Sequence, residues 1–369
     1  MIIKIDFILK NYIYFILMTI ICSCSNPLND KSGENNWDII QTDIGLPLIA
    51  DVRGDGNYRA YGIEGAGVRG NLYEYNYLNG EWVRNPIIID FPYRLSPLIA
   101  ARCHTDGKFR LYGYCSEGIF EVEYNNDNWS SQIICNLNVG DSPYTINKGD
   151  VRSENIESLF IYYMGKLCEL NHREGTWTSS TIDVTSFGLQ PSGEMAVGKV
   201  REESGDCIYM ITNQSIIIEY SCVNGTDWQK SIIDTVYYPG QNVVYGIDIH
   251  VGIFSEFDAQ SLFVTVGSLY RYKYKTSWLK TKVFEYTPTI MEAGIGRNDD
   301  VYRLYCCGWF GEIYEISKIG DSYSISDQLK IGGGALLGLS IGPGRGDGIH
   351  RIYVEQFLND HIYELTCKN

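Results

Sequence analysis

The sequence predicts an all-β fold: a seven-bladed β-propeller of four-stranded blades. Three observations carry the prediction. A tryptophan recurs at Trp37, Trp82, Trp129, Trp177, Trp228 and Trp278, with Tyr323 where the next would fall. The six intervals span 323 − 37 = 286 residues, a period of about 48 that suits a blade of four strands. The last repeat stops short of its marker, while one marker segment stands ahead of the first complete repeat.

Each repeat reads as strands a to d. Strand a is a small-residue segment such as Leu98-Ile99-Ala100-Ala101, suited to crowding around the propeller axis. Strand b carries Arg or a small residue, an apolar residue and an aromatic. It appears as Arg59-Ala60-Tyr61, Arg110-Leu111-Tyr112, Ser158-Leu159-Phe160, Cys207-Ile208-Tyr209, Ser261-Leu262-Phe263, Arg303-Leu304-Tyr305 and Arg351-Ile352-Tyr353. Strand c centres on Glu74, Glu121, Glu169, Glu219, Arg271, Glu315 and Glu364. Strand d opens on the aromatic marker. The phrases are short, rich in Tyr, Ile, Val and Phe, and separated by Gly, Asn and Asp, as antiparallel strands and turns require.

Glu364 lies so near Asn369 that the seventh repeat has no strand d of its own. The segment Trp37-Asp38-Ile39-Ile40-Gln41-Thr42-Asp43-Ile44 supplies one. Pairing it with the last strand c closes the ring and removes two sheet edges. Residues 37–369 are therefore expected to form the propeller.

Residues 1–23 read as a lipoprotein signal peptide. Tyr12 to Ile21 is an apolar run too short for the roughly 20 residues of a spanning helix. Ile21-Cys22-Ser23-Cys24 resembles the bacterial lipobox, which implies acylation of Cys24 after cleavage, and Ser25 after it fits delivery to the outer membrane or cell surface. Residues 24–36 then form a flexible tether, entering on the face of the a–b and c–d turns. Removal of Lys4, Lys10 and Asp6 takes the formal charge from −15 to −16. So acidic a chain is a poor general binder of nucleic acid, and a monomer is expected. Nine of the eleven cysteines remain besides Cys22 and Cys24. They read as small buried hydrophobes, with Cys103 and Cys115 the one pair placed for a bridge.

Two sets of residues are candidates for ligand contact. Arg53, Arg102, Arg152, Arg201, Arg297 and Arg345, with His250 in the fifth slot, recur where strand a leaves the axis. They form either an anion-binding ring for a sulfated or uronic glycan, or ion pairs with acids such as Asp55, Asp106, Glu154 and Glu202. Pairing is the favoured reading. The strand-b arginines are expected to pair across the hairpin, Arg59 with Glu74, Arg110 with Glu121, Arg303 with Glu315 and Arg351 with Glu364. The second set is aromatic. Trp309 breaks the period and stands with Phe310 in the b–c turn of the sixth blade. The same face receives Phe91, Tyr93, Tyr144, Phe187, Tyr237, Tyr238 and Phe357 on d–a connections and the last b–c turn, positions suited to sugar stacking or a protein hot spot.

No catalytic residue set stands out. The five histidines fall at unrelated repeat phases, and there is no nucleophile elbow, zinc-protease pair or phosphate loop. Asp51-Val52-Arg53-Gly54-Asp55-Gly56 resembles the calcium loops of FG-GAP-type propellers, but Arg53 holds the central ligand position, so no metal and no cofactor is expected. The phrase Gly296-Arg297-Asn298-Asp299, then Tyr302-Arg303-Leu304-Tyr305, then Gly311-Glu312-Ile313-Tyr314-Glu315, resembles repeats of lipid-anchored bacterial propellers among surface lipoproteins. That resemblance implies a lipid-anchored propeller and carries no activity. The out-of-phase Trp309 cluster, beside the absence of catalytic motifs, leads to the expectation of a non-catalytic binding module outside the cytoplasm that takes a glycan or protein through the aromatic face. A scaffold subunit in envelope assembly is the alternative, and a glycan-cleaving propeller enzyme the third.

Overall fold

A computed structural model describes residues 36–66, 69–92, 98–115, 117–137, 145–184, 191–201, 205–212, 215–236, 248–252, 260–320, 322–356 and 361–368. Among them there is no helix, and the strands form seven four-stranded antiparallel sheets. Six sheets take their strands in chain order; the first is Leu48–Ala50, Arg59–Ala66, Arg69–Leu78 and Glu81–Pro92. The seventh is Leu336–Gly342, Arg351–Gln356 and His361–Cys367, completed by Trp37–Thr42 as its outer strand. Its register runs from Trp37 opposite Cys367 to Thr42 opposite Ile362. The expected closure is thus the observed one, with the two ends of the propeller sharing one ladder.

Side-chain size decides which strand sits where. Strands a neighbour one another around the ring, and the first meets the last. Such close approach leaves little room at their ends. A Cβ at Gly149 would collide with Val197 of the next blade, and one at Gly198 with Val251. Strands b are enclosed on both faces, as in Ser158–Tyr163, where only the last residue is partly exposed. Strands d are outermost and polar, as in Thr176–Val184.

The core is divided among the seams between blades. Tyr209, Ile211 and Ile217 of the fourth blade pack with Val264, Val266 and Tyr272 of the fifth, and equivalent clusters join the other neighbours. All seven strand-b aromatics are fully buried: Tyr61, Tyr112, Phe160, Tyr209, Phe263, Tyr305 and Tyr353. Five of them, Tyr61, Tyr112, Phe160, Tyr209 and Tyr353, meet the following blade's marker tryptophan edge to face, with centroids 6.0 Å apart for Tyr61–Trp129 and 6.2 Å for Tyr209–Trp278. The period seen in the sequence is therefore the spacing of one inter-blade contact, repeated. The nine described cysteines are free, and Cys103 and Cys115 are buried without a bridge.

Trp37 tests the closure. It is 2 % exposed, packs with Leu329, Leu339 and Leu365, and its indole N–H donates to Asp327 at 2.9 Å. Trp37→Ala should lower the unfolding free energy by about 3–5 kcal/mol in chemical denaturation. An unchanged midpoint would mean that the ring holds without its borrowed strand.

Candidate functional site

Five of the repeated cations, Arg53, Arg152, Arg201, Arg297 and Arg345, are drawn into the seams and paired with acids. Arg53 forks onto Glu74 of strand c with two bonds of 2.8 Å, and its third nitrogen reaches the Tyr124 hydroxyl of the next blade at 2.9 Å. Its guanidinium lies 4.4 Å from the Tyr124 ring centre. Arg201 holds Glu219 and covers Tyr274 of the next blade at 4.1 Å. Arg297 holds Glu315 and Asp327 and faces Trp37, Arg345 holds Glu364 and covers Tyr77 at 3.6 Å, and Arg152 holds Glu169 and reaches the Gly225 carbonyl. Each arginine thus ties a buried strand-c carboxylate of its own blade to the c–d hairpin of the next. The partners are these glutamates rather than the turn acids.

The strand-b arginines make the complementary exchange. Arg59, Arg110, Arg303 and Arg351 fork onto Asp55, Asp106, Asp299 and Asp347 of the preceding turn, at 2.6–2.8 Å. Only Arg303 and Arg351 also approach the expected glutamate, at 3.4 Å. The Asp51 carboxylate is occupied too, accepting the N–H groups of Gly54, Asp55 and Gly56.

Two seams depart from the rule. In the second blade the slot belongs to His104, whose Nε2 lies 2.6 Å from Glu121 and whose ring stacks on His172 of the third blade at 3.7 Å. Burial pushes the Glu121 carboxyl up, but the bonds from His104, Gln132 and Tyr112 outweigh it and hold the group below its ordinary value. Arg102 stands two residues earlier, exposed, with no ion pair among the described residues. In the fifth blade strand c carries Arg271, which bonds Ser261 at 2.8 Å and faces Tyr323 at 5.3 Å, so the cation moves strands while the contact survives. His250 is not in the arginine slot; it lies on strand a, opposite Phe263. Counting from the small residue that ends strand a would have put His104 in register and left Arg102 out.

The out-of-phase aromatics occupy a built turn. Trp309 and Phe310 bridge strands Arg303–Cys307 and Glu312–Ile319. Trp309 is partly exposed and its N–H donates to the Tyr286 hydroxyl at 3.4 Å. Phe310 is 37 % exposed, and its N–H donates to Glu312 at 3.0 Å. Tyr286 packs with Phe284 and Tyr314, at 6.1 and 5.6 Å between centroids. The turn is also tied to the next connection, the Ile331 N–H donating to Gly311 O at 2.8 Å and the Leu336 N–H to Gly308 O at 3.1 Å. Gly311 has φ +84°, and a Cβ there would strike the Ile331 carbonyl. Tyr286 was not foreseen as part of this site. Its cue is an aromatic two residues past Phe284, beyond the strand-d pattern.

Of the other aromatics expected on this face, Tyr93, Tyr144, Phe187, Tyr237, Tyr238 and Phe357 lie outside the described residues, and Phe91 is placed only through its ladder pairing with Gly70. Cys24 lies outside them as well.

Solved propellers share this architecture. The chain is similar to BBS1N in complex with ARL6DN, at TM-score 0.58 and 12 % identity, over 91 % of this chain and 98 % of that one. It is similar, also at TM-score 0.58, to an Agrocybe aegerita lectin that recognises non-reducing terminal N-acetylglucosamine, at 11 % identity over 86 % and 85 % of the two chains. No family model and no curated protein sequence matches the chain.

The seams predict two measurements. Glu169 is fully buried and forks with Arg152, so Glu169→Ala should cost about 3–5 kcal/mol by stranding that cation. A double-mutant cycle with Arg152→Ala should return strongly non-additive losses; additive ones would rule out the tie. The second concerns acid. Burial lowers the proton affinity of His172, aided by the charge of His104, and lowers His250 to about 4; the His250 Nε2 already accepts the Ala293 N–H. In the unfolded chain a histidine titrates near ~6.5. Their contribution to stability is thus full at neutral pH, fades as pH falls below that value, and for His250 levels off near 4. The melting temperature should fall across this window, and His250→Gln should flatten the fall; parallel profiles would contradict the assignment.

Proposed function

We propose that this chain is a non-catalytic binding module, held outside the cytoplasm by a lipid on Cys24, whose glycan or protein ligand docks on the face of the b–c turns. The reading rests on the Trp309–Phe310 turn. In blades one to five the sequence that joins strands b and c carries no aromatic residue, so the repeat does not require this pair. Their backbone is fixed by Tyr286, Glu312 and the connection at Ile331 and Leu336, so little ordering entropy is lost when a ligand covers them. Aromatic anchors of this kind dominate sugar and protein recognition. The repeated glutamates and arginines, by contrast, are committed to one another within the seams.

The neighbouring solved folds suit either ligand class, one being held in a complex with a protein and the other recognising a sugar. A scaffold subunit in envelope assembly would use the same aromatic edge with a membrane-protein partner. Crosslinking in cells separates the two, since a stable membrane partner favours the scaffold and capture of soluble glycan favours the lectin.

Combined Trp309→Ala and Phe310→Ala should weaken binding on glycan arrays or in pull-downs by about 30-fold or more, as for loss of a hot spot of ~2 kcal/mol. The melting temperature is measured alongside, because Trp309 is partly buried and Phe310 is 37 % exposed, so that a loss of binding at unchanged stability is assigned to the ligand contact. Unchanged binding profiles would end this reading.

A further inference from the structure

We infer a second binding site at the axial mouth on the opposite face, between blades one, two and three, for the carboxylate-bearing ring of an acidic saccharide such as a uronate. A half-open cavity of about 260 Å³ lies there, lined among others by Ile49, Tyr58, Ile99, Phe109, Asn147 and Lys148. Its walls come from three strands a and from the residues that precede two strands b.

That preceding position divides the ring into two arcs. In blades three, four and five it holds Glu157, Asp206 and Gln260, and each accepts a backbone N–H from the blade before: from Arg102, Asp150 and Lys199. In blades six, seven, one and two it holds Tyr302, His350, Tyr58 and Phe109. One side of the mouth is therefore sealed by side chain to backbone bonds, and the other presents rings. Tyr58 is 48 % exposed, more than a core aromatic would be.

The cavity lies where the arcs meet, and so does Arg102. Its backbone is clamped twice by Glu157, which accepts its N–H at 2.5 Å and donates its own N–H to the Arg102 carbonyl at 3.1 Å. Its guanidinium rests 4.2 Å from the ring centre of Phe109, a wall of the cavity. Lys148 lies over the same ring at 5.4 Å but is neutralised by Glu157 at 3.0 Å. Arg102 has no such acid among the described residues, because His104 takes the seam slot that elsewhere consumes an arginine.

The result is a pre-oriented guanidinium at the rim of a small apolar hollow with two aromatic walls. A guanidinium fork matches a carboxylate in bidentate fashion, and aromatic faces suit the C–H face of a sugar ring. In a chain of net charge −15 this cation does not belong to a general anion-attracting surface. Beyond the Debye length of about 8 Å at physiological salt the acidic background is screened, so a ligand at contact distance meets Arg102 itself.

The test is titration of the full chain with glucuronic acid, followed by saturation-transfer NMR and calorimetry, with glucose and inorganic sulfate as controls. Glucuronate should bind, glucose should bind at least about tenfold more weakly, and Arg102→Gln should remove that difference. Arg102→Lys should restore it only in part, since an ammonium offers no fork. Because Arg102 is exposed, the glutamine variant should keep the wild-type melting temperature, which is checked alongside. Trp309→Ala should leave glucuronate binding unchanged, so failure of this site and failure of the aromatic turn are told apart. The inference is overturned if glucuronate and glucose bind alike, if Arg102→Gln changes nothing, or if sulfate displaces glucuronate at equal concentration, which would indicate a point charge without a saccharide site.

Discussion

The tie between a buried strand-c glutamate and a cation that leans on the next blade is the interaction on which the ring depends. A propeller blade cannot enclose its own core, since each sheet has two faces and strand b is apolar on both. Burial is completed only by neighbours, and hydrophobic contact alone is non-directional. The arginine adds direction. Its fork fixes the glutamate within one blade, while its flat face lies on an aromatic of the next, as Arg345 joins Glu364 to Tyr77 across the closing seam. Glu169 and Glu364 are fully shielded from water, a state sustained only by satisfied charge and hydrogen bonds.

The exceptions clarify what is being selected. Where the fifth blade lacks the glutamate, the arginine sits in its place as Arg271, still bonded within the blade through Ser261 and still facing Tyr323. Where the second blade lacks the arginine, His104 serves Glu121 and stacks on His172. The preserved element is a donor between a blade and the c–d hairpin of its neighbour, and the residue type varies around it. The histidine version exchanges a guanidinium fork for a single imidazole bond to Glu121, and ring stacking on His172 replaces the cation laid over a ring.

Because the seams consume most of the repeated charge, both proposed sites lie in what the repeat leaves over. Two such places stand on opposite faces: the Trp309–Phe310 turn, rigid and aromatic, and the hollow beside Arg102, apolar and singly cationic. Both come from local departures from the repeat. In a scaffold of near-identical units, function resides where one unit differs.

The architecture was legible in the sequence because it is periodic. Trp37 through Trp278 mark the outer strands, the strand-b aromatics mark the buried ones, and the surplus marker segment at Trp37 announces the closure observed opposite Cys367. The unusual position of Trp309 was equally visible, since a residue that breaks a period needs no coordinates to be noticed. The partners of the charged residues were not legible. Arg59 lies within reach of both Asp55 and Glu74, and Arg53 likewise, so spacing permits either assignment. Only the folded seam decides it, by placing the Arg53 guanidinium between a shielded carboxylate and the ring of Tyr124, 71 residues away. The freedom of Arg102 is of the same kind: it follows from His104 occupying a slot that exists only once two blades are side by side.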